Sequence, residues 1–326
     1  YLSDQFFFRD KWVDLAVREQ IALGKKDFNG VYLGKNNYLL EKYEKADFDS
    51  GQIKENETYL TTFLNETEKR YGRKHVRAMF VPSKTTALTN VLPAYADTID
   101  WQSTIRDLQT KVDAPNLIYD LTKTMQSHNE EYIYYRTDHH WTTLGAYYAY
   151  TEFCKAKGIT PESLDAYSKK QDFDGFLGSF YNDTSDAKLK ANPDTVTAYY
   201  PNAESICHVT ASDGKKYDWP VIYDVSNYNA GLKYSTFIAS DNPYTEIENK
   251  DLSDGSSCIV VKESFGNAFI PFLVDHYQTV YVVDYRYWTG SISKLAQDKK
   301  VNDVLFLNNL SMIRNKSLVG KLYRVL

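Results

Sequence analysis

The chain has 326 residues, 43% of them hydrophobic and 25% charged. That is an ordinary globular composition, long enough for one large α/β domain or two small ones. A net charge of -5 and a pI near 5.8 argue against a nucleic-acid partner, which leaves a basic footprint, and no apolar stretch approaches the roughly 20 residues that span a bilayer.

In chain order, Phe6, Phe7, Trp12, Leu15, Ala16 and Ile21 mark an approximate helical stripe. Gly30-Val31-Tyr32-Leu33-Gly34 and Tyr38-Leu39-Leu40-Glu41 read as two strands about a Lys35-Asn36-Asn37 turn. Residues 56–71 form a polar amphipathic helix. Val76 to Val81 is a strand stopped by Pro82, Ile99 to Val112 is mostly helix, and Asn116 to Asp120 is a second strand. A helix runs from Gly145 to Lys157. Between about 172 and 250, short β-like runs such as Val196-Thr197-Ala198-Tyr199-Tyr200 and Trp219-Pro220-Val221-Ile222-Tyr223 alternate with Gly, Asn and Asp, which reads as a β-rich insertion or lid. The α/β pattern resumes with strand 258–262, a helix from Phe265, strand Thr279 to Asp284, a helix near 292–298 and strand Val304 to Leu307. Strands alternating with helices predict a largely parallel sheet covered on both faces, in one domain spanning 1–326.

Cys154, Cys207 and Cys258 are far apart and form no CxxC, which argues against a zinc site and leaves one disulfide open. Cys258 lies in an apolar strand and reads as a small buried hydrophobe. The 28 Tyr suit stacking on sugar rings; packing in half-buried strands explains them equally. The chain opens on Tyr1 rather than Met, as expected of a protein that has lost an N-terminal signal or anchor.

Two elements carry chemistry: Thr137-Asp138-His139-His140-Trp141-Thr142 and Glu263-Ser264-Phe265-Gly266. Ser264 follows an apolar strand and opens a helix. Its hydroxyl is expected at the carboxyl rim of the sheet, beside helix N–H groups that suit an oxyanion. A plain helix N-cap is the bland alternative. Asp138 and His140 project to the same side of an extended loop, so Asp138 can hold one ring nitrogen and leave the other for Ser264. His139 alternates to the opposite side, as a structural residue. Metal binding by Asp138, His139 and His140 is a rival, but the aspartate-rich motifs that DHH phosphoesterases need upstream are missing. Arg286 ends a strand on the Ser264 side, where it holds substrate or pairs with Asp284. Lys84, Asn308 and Asn309 also fall at strand ends and read as loop caps.

Residues 134–150 resemble the signature of the bacterial DHHW family, itself similar to the SGNH-hydrolase-like alginate O-acetyltransferases of the AlgJ and AlgX type. The resemblance takes in Ser3-Asp4-Gln5-Phe6-Phe7-Phe8-Arg9-Asp10-Lys11-Trp12, Gly30 to Gly34, Val81-Pro82-Ser83-Lys84, Phe176-Leu177-Gly178-Ser179, the Ser264 turn and Asp284-Tyr285-Arg286. It implies a three-layer α/β/α fold with Ser264 as nucleophile, His140 as base and Asp138 as the orienting acid. Gly178 and Asn267 are candidate oxyanion residues, and Trp141 and Arg286 candidate substrate contacts. The nucleophile turn departs from the family's Asp-Ser-Phe by reading Glu263-Ser264-Phe265. The implied function is O-acetylation of an extracytoplasmic polysaccharide, by a secreted or membrane-anchored protein. No metal or other cofactor is called for, and acetyl would be relayed by a membrane-bound O-acyltransferase. A carbohydrate O-acetyl esterase, or a non-catalytic glycan-binding or assembly module, remains open.

Overall fold

The structure, a computed structural model, describes residues 27–28, 30–43, 49–72, 74–184 and 187–326, together with Glu19. The expected first helix and the motif at 3–12 lie outside the described residues. Strands β1 (Asp27–Phe28), β2 (Val31–Leu33) and β3 (Leu39–Glu41) form a small antiparallel sheet. Asn36 and Asn37 take the left-handed turn positions between β2 and β3, with φ of 55° and 62°, a conformation Asn tolerates. Helix α1 (Ser50–Tyr71) begins before the stripe at 56, because the Asp49 carboxylate accepts from the Gly51 and Gln52 N–H groups.

The chain then lays down β4 (Val76–Val81), α2 (Trp101–Lys111), β5 (Ile118–Asp120) and α3 (Thr143–Lys157). Next come β6 (Lys170–Phe176), β7 (Asp194–Tyr199), β8 (Ser205–Thr210), β9 (Lys216–Trp219) and β10 (Tyr244–Asn249). The last stretch holds β11 (Ser257–Lys262), α4 (Gly266–Phe269), β12 (Thr279–Asp284), α5 (Ile292–Lys299), β13 (Asp303–Asn309) and α6 (Lys316–Arg324).

The central sheet has eight strands in the order β5-β4-β13-β11-β12-β10-β8-β9. From β5 to β12 all neighbours are parallel; β10, β8 and β9 continue the sheet antiparallel. Every residue of β11 and β13 is buried, as parallel strands covered on both faces require. One face packs Met79, Val81, Val260 and Leu305 against Ala146, Ala149 and Phe153 of α3. The other packs Phe80, Ile259 and Phe306 against α1, α2, α5 and α6 through Leu60, Ile105, Ile292 and Leu322. Burial of each such large side chain contributes about 1.5–3 kcal/mol.

The segment read as a β-rich insertion divides in two. Among the described residues, β6 and β7 pair only with each other, while β8, β9 and β10 are the outer strands of the central sheet. Because β4, β11, β12 and β13 run parallel, their carboxyl ends share one rim, which receives Lys84, Ser264, Arg286 and Asn309.

Candidate active site

The Asp138–His140 element is a tight loop closed by the antiparallel bridge between Tyr134 and Trp141. It runs directly into α3, which Thr142 caps by accepting from the Gly145 N–H. The Asp138 Oδ1 accepts from the His140 backbone N–H at 2.9 Å and from its Nδ1–H at 2.6 Å. With Nδ1 protonated, Nε2 is left as an acceptor. It lies 2.7 Å from the Ser264 Oγ. All three residues are buried; Ser264 keeps 9% exposure. Burial alone would raise the Asp138 pKa, but His140, His139 and hydrogen bonds from His140 and the Ser179 N–H hold it well below the usual carboxylate range.

The Ser264 turn is not a helix cap. The residue flanking α4 is Phe265, without a side-chain cap, and the Ser264 hydroxyl faces His140. The helix is also shorter than the sequence suggested, four residues followed by the 3₁₀ turn Ile270–His276. Gly266 permits the sharp bend: a Cβ there would fall 2.7 Å from the Lys262 Cβ. Glu263 faces the same hydroxyl. Its Oε2 lies 3.2 Å from the Ser264 Oγ and accepts from the Phe265 N–H, while Oε1 accepts from the Asn309 N–H. Burial raises the Glu263 pKa against the lowering effects of Arg286 and those N–H groups.

Below the turn, Lys262, Asp241, Asp284 and Arg286 form a charge network. Lys262 Nζ is 3.0 Å from both Asp241 and Asp284. The Arg286 Nη2 reaches Asp241 at 2.9 Å and Asp284 at 2.6 Å. A cavity of about 280 Å³ opens beside the turn, lined among others by Glu41, His139, Phe180, Glu263, Phe265 and Arg286.

Several expected roles change. Trp141 is fully buried and its Nε1–H donates to the Phe265 carbonyl at 2.9 Å, so it ties the two loops together and has no surface for substrate. The Gly178 N–H donates to the Thr137 Oγ1 at 3.0 Å and is thereby engaged within the protein. What Gly178 supplies is closeness: a Cβ would lie 2.2 Å from that of Asp138. Asn267 is buried with its Nδ2 on Asp241. Arg286 is paired with Asp284, as one sequence alternative had it, and also lines the cavity. His139 is not on the far side of the loop. Its ring lies 3.8 Å from that of His140, it bonds the Ser179 hydroxyl, and 39% of its side chain is exposed at the cavity. The protein packed around it, then His140, push its pKa down to about 4. Lys84 is no simple loop cap: fully buried, its Nζ donates to the carbonyls of Leu39 and Asp138. Burial lowers its pKa to about 8. Asn308 and Asn309 do serve the strand end, on the Val261 carbonyl and the Ser311 N–H.

Sequence reasoning missed Asp194, Asp241 and Tyr234. Asp194, at the start of β7, accepts from the Thr137 N–H and hydroxyl and from Arg136. A lone Pro193-Asp194 at a strand start was its only signal. Asp138, His139 and His140 place ligand atoms within 4.8 Å of one another, the set considered for a metal. Both His140 nitrogens are engaged within the protein.

Cys154, Cys207 and Cys258 are free and buried. Among the described residues, no helix is long and apolar enough to cross a membrane.

Comparison with known proteins agrees with this architecture. A family model described as DHHW protein matches residues 47–283. No curated protein matches the chain. Among solved structures, it is similar to a DHHW family protein from Eubacterium siraeum: 27% identity over 90% of this chain and 96% of that one, TM-score 0.75. It is also similar to Bacillus cereus PatB1 with a sulfonyl adduct, at 23% identity over 88% and 97% of the two chains, TM-score 0.69. The O-acetyltransferase domain of Pseudomonas putida AlgJ shares the fold at 15% identity over 90% and 98%, TM-score 0.51. The chain belongs to the DHHW protein family.

Proposed function

We propose that this protein transfers an acyl group, acetyl, through Ser264 to a hydroxyl of an extracytoplasmic polysaccharide. The observation that carries this reading is the continuous hydrogen-bond chain from Asp138 through His140 to Ser264, whose neighbours Glu263 and Phe265 line a cavity. The fold shared with an O-acetyltransferase domain, and with a protein solved with a sulfonyl adduct, supports it.

In this mechanism His140 Nε2 takes the Ser264 proton as Oγ attacks the acyl carbonyl. Asp138 holds the Nδ1–H and stabilises the imidazolium. The Ser264 backbone N–H contributes to oxyanion stabilisation. Collapse expels the leaving group, which takes the proton from His140. A sugar hydroxyl then gives its proton to His140 as its oxygen attacks the acyl carbonyl; the bond from that carbon to Oγ breaks, and Ser264 takes the proton back from His140. The donor is relayed by a membrane-bound O-acyltransferase, and the chain works outside the cytoplasm, as in the acetylation systems it resembles.

The test is intact-protein mass spectrometry after incubation with p-nitrophenyl acetate. Wild type should release nitrophenol and carry one acetyl group; Ser264→Ala and His140→Ala should carry none and turn over about 1,000-fold more slowly or worse. Oligosaccharide acceptors that become acetylated would establish transfer. Release unaffected by acceptors would indicate an esterase. Glycan binding with no adduct in wild type would replace the proposal with a binding module.

A further inference from the structure

Tyr234 lies in the 3₁₀ turn Ala230–Thr236, far in sequence from both catalytic elements. Its ring stacks face to face on the His140 imidazole, with centroids 4.1 Å apart and planes 16° from parallel. Its hydroxyl donates to the Ser264 carbonyl at 3.0 Å. One rigid side chain therefore touches both the base and the backbone of the nucleophile. The His139 ring also lies against the imidazole, with centroids 3.8 Å apart and planes tilted by 37°, so the His140 ring touches two planar groups. Burial keeps the phenol protonated, with its pKa well above the usual value, so it remains a donor.

Tyr234 is itself held firmly. Tyr135 and Phe237 meet its ring edge-on, at 6.1 Å and 5.4 Å. Just beyond it, Ile238, Ala239 and Ser240 all take left-handed φ, at 47°, 60° and 68°. That conformation is unfavourable for a non-glycine residue, most of all for a β-branched one. Bonds from the Ile238 N–H to the Val221 carbonyl and from the Ser240 N–H to the Phe237 carbonyl, both 2.8 Å, hold the segment in place. The turn delivers Asp241 to Lys262 and Asn267. The segment grips the nucleophile turn at Ser264 and again at its two flanks.

We infer that Tyr234 is a positioning residue for acyl transfer, fixing the plane of the His140 ring relative to Ser264. The inference rests on the serine-dependent reading above. Its physical basis is that a misplacement of about 1 Å between reacting groups costs on the order of 100-fold in rate. As the Ser264 proton moves to His140, the Tyr234 ring face also lies within cation–π reach of the imidazolium.

The experiment is the rate at which phenylmethanesulfonyl fluoride labels Ser264, followed by intact mass. In that reaction Oγ attacks sulfur, an O–S bond forms, the S–F bond breaks, fluoride leaves and the proton goes to His140. No glycan is needed. Tyr234→Leu removes stack and donor and should label about 100-fold more slowly. Tyr234→Phe restores the stack without the donor and should lose only about 3- to 10-fold. With p-nitrophenyl acetate the losses should fall on kcat with KM little changed, because Tyr234 lies behind the base. Leucine and phenylalanine variants labelling at equal rates would indicate a merely structural role and overturn the proposal. Should Tyr234→Leu not fold, Tyr234→Met takes its place as the variant without the stack, and a labelling rate equal to that of Tyr234→Phe would overturn the inference. A wild type that labels normally while Tyr234→Leu keeps its rate sinks this inference only; a wild type that never labels sinks the serine mechanism with it.

Discussion

Asp194 and Asp241 each hold one half of the site, and they do so differently. Asp194, fully buried, takes the N–H groups of Arg136 and Thr137, the Thr137 hydroxyl and the Tyr132 hydroxyl. One charge, with Arg136 as its counterion, thus organises the backbone just before Asp138. Asp241 is 28% exposed and is one of two acids shared between Lys262 and Arg286. The Arg136 and Thr137 N–H groups that lead into the His140 loop share a single carboxylate, Asp194; the Ser264 turn rests on a network with a second carboxylate and partial solvent exposure. Buried donors without a partner cost more than a weakened exposed pair. The His140 loop should therefore be the fragile half.

The largest effect should follow Asp194→Ala. It leaves the Thr137 and Arg136 N–H groups without their acceptor and the Arg136 charge without its partner, at a cost of about 3–5 kcal/mol. Urea unfolding would measure it. The labelling rate of Ser264 should fall as well, since the loop carrying Asp138 loses its anchor. A loss below that of Asp241→Asn would reverse the comparison.

Lys84→Met tests the same loop from below. The Leu39 and Asp138 carbonyls lose their donor, at about 1–3 kcal/mol. Burial lowers the Lys84 pKa from 10.5 to about 8, so the folded state binds this proton more weakly than the unfolded chain. The associated stability is present above 10.5 and is lost as pH falls through about 8. Wild type should therefore gain about 2 kcal/mol over Lys84→Met between pH 8 and pH 10. Parallel denaturation curves for the two proteins cancel the other titrating groups. A constant gap would mean that Lys84 keeps its ordinary proton affinity when folded.

The parts of this design that were legible in the sequence are those set by local pattern. β4, β11, β12 and β13 are short, mostly apolar runs ended by Pro82, Lys262-Glu263, Asp284 and Asn308-Asn309, the composition expected of parallel strands buried on both faces. Asp138 and His140 stood out by their residue types two positions apart ahead of a helix, and Ser264 by its place after an apolar strand. Tyr234 is one of 28 tyrosines, and only tertiary packing distinguishes it from the rest. β8 and β10 fell within the segment read as an insertion because Gly, Asn and Asp punctuate its short β-like runs. Pairing of β10 with β12, and of β8 with β10, makes them outer strands of the main sheet. Gly178 and Trp141 show what sequence leaves out: the Gly178 N–H goes to Thr137 while its missing side chain makes room for Asp138, and the Trp141 indole N–H goes to the Phe265 carbonyl.

The smallest effect should come from Asp241→Asn. The substituted amide keeps an oxygen for Asn267 or Lys262, and Asp284 still faces both cations. Partial exposure lets water and salt screen what is lost, so the cost should be about 1 kcal/mol. Burial alone would raise the Asp241 pKa, but Lys262 and Arg286 hold it well below the carboxylate range. Its stabilisation is therefore present above the unfolded pKa of about 4 and is lost only as pH falls toward the lower folded value. Between about pH 5 and pH 8 the difference between Asp241→Asn and wild type should stay flat, while added salt should shrink it. A cost near that of Asp194→Ala, insensitive to salt, would mean that the turn also hangs on one carboxylate, and the contrast between the two halves would be lost.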